Sequence, residues 1–193
     1  APGRLPLAFM GLALVWLVVA TTMLVIRSDL PSFPFQLPPV VALTHAWILG
    51  FFVTVACGAV YQLVPVALGT TLWSERLGWL HFGLHTIGVP GMVISFWNWD
   101  LKWLGIFGTA VTLGIVCFAV NTWLTVKRSS RRDTTAWSII LATGWLLSTV
   151  LAGLLLAANS QWGFIPLNSI ALLRAHAHLG LVGFFLTLLQ GVG

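Results

Sequence analysis

The chain has 193 residues, of which 59% are hydrophobic and only 7% are charged, and its mean hydropathy is +0.99. Soluble globular domains carry roughly 25% charged residues, so this composition excludes a water-soluble domain. Apolar runs longer than about 20 residues also argue against an outer-membrane barrel, whose strands alternate over about ten residues. The sequence therefore predicts an all-α protein, a polytopic transmembrane helical bundle of about six spans.

The apolar runs and the loops between them predict one transmembrane domain over residues 1–193. A proline-rich loop precedes the second span, and a strongly basic loop follows the fourth. More than 20 apolar residues follow a single Arg near the N-terminus without a small-residue cleavage signature, so we expect the first span to be retained. The apolar pattern is still running at Gly193, which predicts a longer parent chain. The predicted spans are about 5–26, 40–64, 77–97, 101–126, 136–158 and 170–193.

The distribution of basic residues predicts the orientation in the membrane. They lie at the ends of apolar runs and not in a patch mixed with aromatics, which argues against a nucleic-acid partner. Loops on the N-terminal side carry six Lys and Arg, against three on the other side. The positive-inside rule therefore predicts a multi-pass protein of a bacterial-type inner (plasma) membrane with its N-terminus in the cytoplasm.

An internal repeat is the most informative feature of the sequence. Segments 45–58 and 178–191 share a histidine, a glycine, a Phe-Phe pair, a threonine and a second glycine at the same spacing. Both spans begin on the outer side, so His45 and His178 are expected at one depth, roughly 8 Å into the hydrocarbon layer. Two such histidines could ligate a haem iron from both faces. The alternative is that they form interhelical hydrogen bonds preserved after a duplication.

Two neighbours of His178 are further candidates for cofactor binding. Arg174 lies one turn outside His178, where it could pair with haem propionates, or it could be a snorkelling anchor at the membrane surface. His176 points to a different face of the same helix. It could hydrogen-bond the edge of a cofactor or line a quinone pocket.

A second pair of histidines lies in the third span. His81 and His85 are four residues apart and so share a face of the helix. They could ligate a second haem or a copper ion or contact a quinone, or they could form hydrogen bonds between helices. Tyr61 is the single tyrosine, and its position near the inner end of the second span favours an interfacial role. The carboxylates all lie at span ends or in loops, which leaves a carboxylate-based proton relay without support.

Three segments resemble a known family. The run Leu-Thr-His-Ala-Trp-Ile-Leu-Gly-Phe-Phe at 43–52, continued by Gly-Ala-Val-Tyr-Gln-Leu-Val-Pro at 58–65, is similar to the second helix of haem-copper oxidase catalytic subunits, in the nitric oxide reductase and cbb-type branches. The run Arg-Ala-His-Ala-His-Leu-Gly-Leu-Val-Gly-Phe-Phe at 174–185 resembles segments of small relatives of that subunit. The resemblance implies that His45 is an axial ligand of a low-spin haem near the outer surface. His178 as the opposite ligand follows from the repeat alone.

The chain departs from the family pattern because it contains no adjacent His-His pair. The leading prediction is therefore a haem b-binding membrane subunit of a respiratory complex, with one or two haems, that transfers electrons through a bis-histidine low-spin haem. Its expected partners are other membrane subunits, the lipid bilayer, and cytochrome c or a quinol. One alternative is a catalytic oxygen or nitric oxide reductase subunit with further ligands beyond the visible chain. Another is a structural subunit or transporter without a cofactor.

Overall fold

The computed structural model describes residues 3–131, 133–165 and 169–192. It is 86% helical, and the described residues contain no strand. The predicted number and type of spans are confirmed, and the chain is a multi-pass membrane protein. Six helices are long and apolar enough to cross a membrane: α1 Arg4–Ile26, α2 Pro38–Ala67, α3 Glu75–Asn98, α4 Leu101–Arg128, α5 Thr134–Trp162 and α6 Ile170–Gly191.

Polar side chains fix the starts of three of these helices. Ser74 Oγ, Asp100 Oδ1 and Asp133 Oδ1 each accept a hydrogen bond from the backbone N–H three residues further on, at 3.2, 3.2 and 3.0 Å. Such N-caps satisfy backbone donors that have no partner inside the helix. Three of the few polar residues near the span ends therefore set helix boundaries.

Both helices of the repeat widen into π-helix at the same place. The π-helical segment starts at the residue after the repeat histidine and ends at the residue before the repeat threonine. π-helical turns are rare and occur frequently at functional sites, so their matched position strengthens the relation between the two copies. The segments are Pro38–His45, Ala46–Val53 (π) and Thr54–Ala67 in α2, and Ser169–His178, Leu179–Leu186 (π) and Thr187–Val192 in α6.

The structure extends the repeat to the preceding helices. In α2, the repeat glycines Gly50 and Gly58 lie against side chains of α1, Trp16 and Phe9. In α6, the corresponding Gly183 and Gly191 lie against side chains of α5, Trp145 and Ser138. In each preceding helix the two contacting residues are seven positions apart, about two helical turns. The repeated unit is therefore a helical hairpin, α1–α2 and α5–α6.

The two hairpins occupy different surroundings. α1 and α3 pack on α2, α4 packs between α3 and α5, and α6 packs chiefly on α5. In the most apolar 18-residue stretch of each helix, 50% of α2 is buried inside the protein, against 6% of α6. Helix α2 is thus a central helix of the described bundle and α6 a peripheral one. The space between α2 and α6 contains a cavity.

Candidate functional site

A cavity of about 510 Å³ lies among α2, α3, α4, α5 and α6. This volume lies within the range of roughly 300–1,000 Å³ typical of cofactor and ligand sites. Its walls are mostly apolar, with a few polar groups, as is usual for sites that bind an apolar ring system. The polar side chains that line it are Thr44, His45, Thr112, Thr149, Arg174 and His176.

His45 is held by its own helix at the wall of this cavity. Its Nδ1 lies 2.8 Å from the carbonyl oxygen of Val41, and its ring packs on Phe96 of α3 at a centroid distance of 4.5 Å. A carbonyl oxygen can only accept a hydrogen bond, so the neutral ring donates its Nδ1–H there and retains a lone pair on Nε2. This is the tautomer that a metal-ligating histidine commonly has.

His176 is held in the same way by a different helix. Its Nδ1 lies 2.9 Å from the carbonyl oxygen of Thr149 on α5, which again leaves the lone pair on Nε2. The ring rests on Gly153, where an added Cβ would come within 2.9 Å of Cε1. Glycine at position 153 therefore makes the space that the imidazole occupies.

The structure brings His45 and His176 together. Their ring centroids are 6.3 Å apart, and the ring planes differ by 19°. Two imidazoles that bind one metal ion end-on, with nitrogen–metal bonds of about 2.0 Å, place their centroids about 6 Å apart. The separation, the tautomers and the apolar walls fit a bis-imidazole haem site. Arg174 lines the same cavity and could pair with an anionic substituent.

His178 lies elsewhere, so the predicted pairing of His45 with His178 is not the one that the structure assembles. The side chain of His178 is exposed, and its Nδ1 bonds to the carbonyl oxygen of Arg174 at 2.7 Å. Residues two apart on a helix point about 200° apart. Because His176 faces the cavity, His178 faces away from it.

The second histidine pair lies in the core among the first four helices. His81 and His85 are fully buried, with ring centroids 5.6 Å apart. His81 Nδ1 is 3.1 Å from the Tyr61 hydroxyl, and His85 Nε2 is 2.8 Å from Thr54 Oγ1. The predicted interhelical hydrogen bonding is confirmed for both. Tyr61 is a core residue, 4% exposed, and not the interfacial residue that its position suggested.

No group of three or more His, Cys, Asp or Glu that could hold a metal ion occurs among the described residues. A copper ion or a second haem at His81 and His85 therefore stays a prediction. The residues that sequence reasoning missed are Thr149 and Gly153, which position His176. Neither belongs to the histidine motif, although the shared pattern Leu-Ala-x-x-Trp-Leu at 12–17 and 141–146 could have indicated that α5 takes part in the repeat.

No family model, no curated protein and no solved structure matches the chain.

Proposed function

We propose that this protein is a haem b-binding membrane subunit of a respiratory complex that transfers electrons through a bis-histidine haem, and that His45 and His176 would hold the haem iron. The observation that carries the proposal is the approach of these two imidazoles across the cavity, at a centroid distance of 6.3 Å and nearly parallel. Each ring has its Nδ1 hydrogen-bonded to a main-chain carbonyl.

The two histidines have complementary tasks. They lie on two different helices, α2 and α6, and their hydrogen bonds orient the two imidazole rings. Each ring presents an Nε2 lone pair to a space with apolar walls. A bound haem would supply one-electron redox chemistry, with a potential set by its axial ligands and burial. Two imidazole ligands leave no position for oxygen, which favours electron transfer over oxygen reduction. Arg174 supplies a cation at the cavity wall for an acidic substituent.

The same proposal covers the membrane location, the orientation and the redox partners of the protein. The resemblance to haem-copper oxidase subunits and the charge bias of the loops favour a bacterial-type inner membrane with a cytoplasmic N-terminus. The redox partner is then a quinol or cytochrome c, together with other membrane subunits. Since α2 starts on the outer side in this orientation, the cavity lies in the outer half of the bilayer.

A reduced-minus-oxidised optical spectrum of the purified full chain tests the proposal. We expect a sharp haem b α-band in the wild type, and its loss in His45→Ala and His176→Ala. His178→Ala is the matched control because His178 is the repeat equivalent of His45, makes the same bond to its own helix and lies outside the cavity. It should keep the band.

Other outcomes have defined meanings. A band lost in His178→Ala but kept in His176→Ala would restore the pairing of His45 with His178. A wild type that binds no haem would favour the structural subunit or transporter. Carbon monoxide binding by the reduced protein would indicate an open iron and favour the catalytic alternative.

A further inference from the structure

The core histidine pair contains two buried polar atoms without a partner. His81 Nε2 and His85 Nδ1 have no hydrogen-bonding partner among the described residues, and both side chains are fully buried. Unpartnered buried nitrogens are rare in native proteins, and each requires an explanation such as a bound water or ion. The rings belong to one helix face, and their centroids are 5.6 Å apart.

The hydrogen bonds of His85 fix its tautomer. The Thr54 hydroxyl donates to the carbonyl oxygen of Leu49 at 3.1 Å, within the π-helical segment of α2. Its oxygen must therefore accept from His85 Nε2–H, at 2.8 Å. A neutral imidazole carries one proton, so the unpartnered Nδ1 of His85 is a lone pair.

The hydrogen bonds of His81 give the complementary result. The buried Tyr61 hydroxyl hydrogen-bonds to His81 Nδ1 at 3.1 Å. If it only accepted there, its own proton would be left unpartnered in the core, so the hydroxyl donates to His81 Nδ1. The proton of His81 is then on Nε2. The unpartnered atom of His81 is an N–H donor, whereas that of His85 is an acceptor.

We infer that one internal water molecule binds between the two rings, accepting from His81 Nε2–H and donating to His85 Nδ1. A water needs two to four polar partners to bind inside a protein, and these two nitrogens do not bond to each other directly. A metal ion needs a lone pair from each ring, which the N–H of His81 does not offer. The pair is thus a site for water and not for copper or haem iron.

The bridged pair completes a hydrogen-bonded chain through the core. It runs from Tyr61 through His81, the water, His85 and Thr54 to the carbonyl oxygen of Leu49. Leu49 also lines the cavity between α2 and α6. The chain joins α2 and α3 and ends at the π-helical segment of α2 that contributes to the cavity wall.

Magic-angle-spinning NMR of the full chain, labelled with ¹⁵N-histidine, in lipid bilayers without added haem tests the inference independently of the proposed function. We expect His81 and His85 to be protonated at Nε2, with transfer from water protons to both unpartnered nitrogens. His178 provides an internal reference, because its bond to the Arg174 carbonyl predicts protonation at Nδ1. Single His81→Asn and His85→Asn chains assign the signals.

Variants and metal additions sharpen the test. Tyr61→Phe removes the donor to His81 Nδ1, so the His81 signal should become a mixture of both tautomers while that of His85 stays unchanged. Addition of Zn²⁺ or Cu⁺ should leave the ¹⁵N signals of both imidazole rings unchanged. Protonation of His81 at Nδ1, ring nitrogens that receive no transfer from water, or saturation of both rings by one equivalent of metal would each overturn the inference.

Discussion

The histidines of the cavity and those of the core differ in the chemical group to which a ring nitrogen is hydrogen-bonded. His45 and His176 bond through Nδ1 to main-chain carbonyls, which can only accept. His81 and His85 bond to hydroxyls, which donate as well as accept. The carbonyls leave a lone pair on each Nε2 of the cavity pair. The hydroxyls leave the core pair with one donor and one acceptor, which suits a hydrogen-bonded chain.

The two copies of the repeat place their histidines in different surroundings. His45 and His178 make the same Nδ1 bond to the carbonyl four residues earlier. His45 is covered by Phe96 and faces His176, whereas the side chain of His178 is exposed. The local sequence therefore determines the tautomer, and the packing of neighbouring helices determines whether the lone pair faces a cavity.

Gly153→Ala should produce the largest change at the cavity. Its Cβ would lie 2.9 Å from Cε1 of His176, so the ring must shift from the position in which it faces His45. Under the proposed function we expect haem to be retained at least about tenfold less tightly, equivalent to about 1.4 kcal/mol. Haem titration of the purified protein, followed by its α-band, measures the change.

The control for this substitution is Gly108→Ala, also in the cavity wall. A Cβ there meets its nearest atom, Cδ1 of Leu154, at 3.7 Å, which is ordinary van der Waals contact. We expect haem affinity to change less than twofold or so. Equal losses in the two variants would contradict a specific role for Gly153.

Thr54→Val should have the largest effect on the core pair. Valine leaves His85 Nε2–H without an acceptor in a fully buried site, which costs about 1–3 kcal/mol of unfolding free energy. Unfolding in mixed micelles, followed by circular dichroism, measures this loss. Thr187 is the repeat equivalent of Thr54, and it forms no hydrogen bond with a described histidine. Thr187→Val should therefore change the free energy of unfolding by less than about 0.5 kcal/mol. Similar losses in both would show that the threonines serve packing alone.

The fold was predictable because apolar runs and loop residues are local signals. Predicted span 5–26 lies within Arg4–Ile26, and span 101–126 lies within Leu101–Arg128. The depth of His45 and His178 follows from counting residues along a helix. Counting residues does not predict which neighbouring helix or cavity each histidine side chain faces.

The choice of His176 over His178 depends on where α5 lies. Thr149 and Gly153 of α5 hold the His176 ring, and both are distant from it in the sequence. The π-helical segments also escape prediction from hydropathy, since an apolar run indicates a membrane span but not whether its turns are α-helical or π-helical. The sequence could therefore predict the candidate histidines but not their partners.

Phe96→Leu tests the cover of His45 that distinguishes the two repeat copies. The aromatic contact at 4.5 Å contributes about 0.5–1.5 kcal/mol beyond the buried area. We expect a loss of about 1 kcal/mol in unfolding free energy in the same micelle assay. Phe33→Leu is the control because its ring is 46% exposed and it should change little. A neutral Phe96→Leu would mean that the cover of His45 does not depend on this ring.

Asp29→Asn should have the smallest effect. Arg27 Nη2 lies 2.8 Å from Asp29 Oδ2, and the hydrogen bond from Arg27 lowers the pKa of the Asp29 carboxyl. A lowered pKa stabilises the fold above the ordinary value of about 3.9, and this contribution disappears as the pH falls through the folded-state pKa. Solvent screens this exposed pair, so at pH 7 the melting temperature should not change measurably. A clear drop at pH 7 would contradict this.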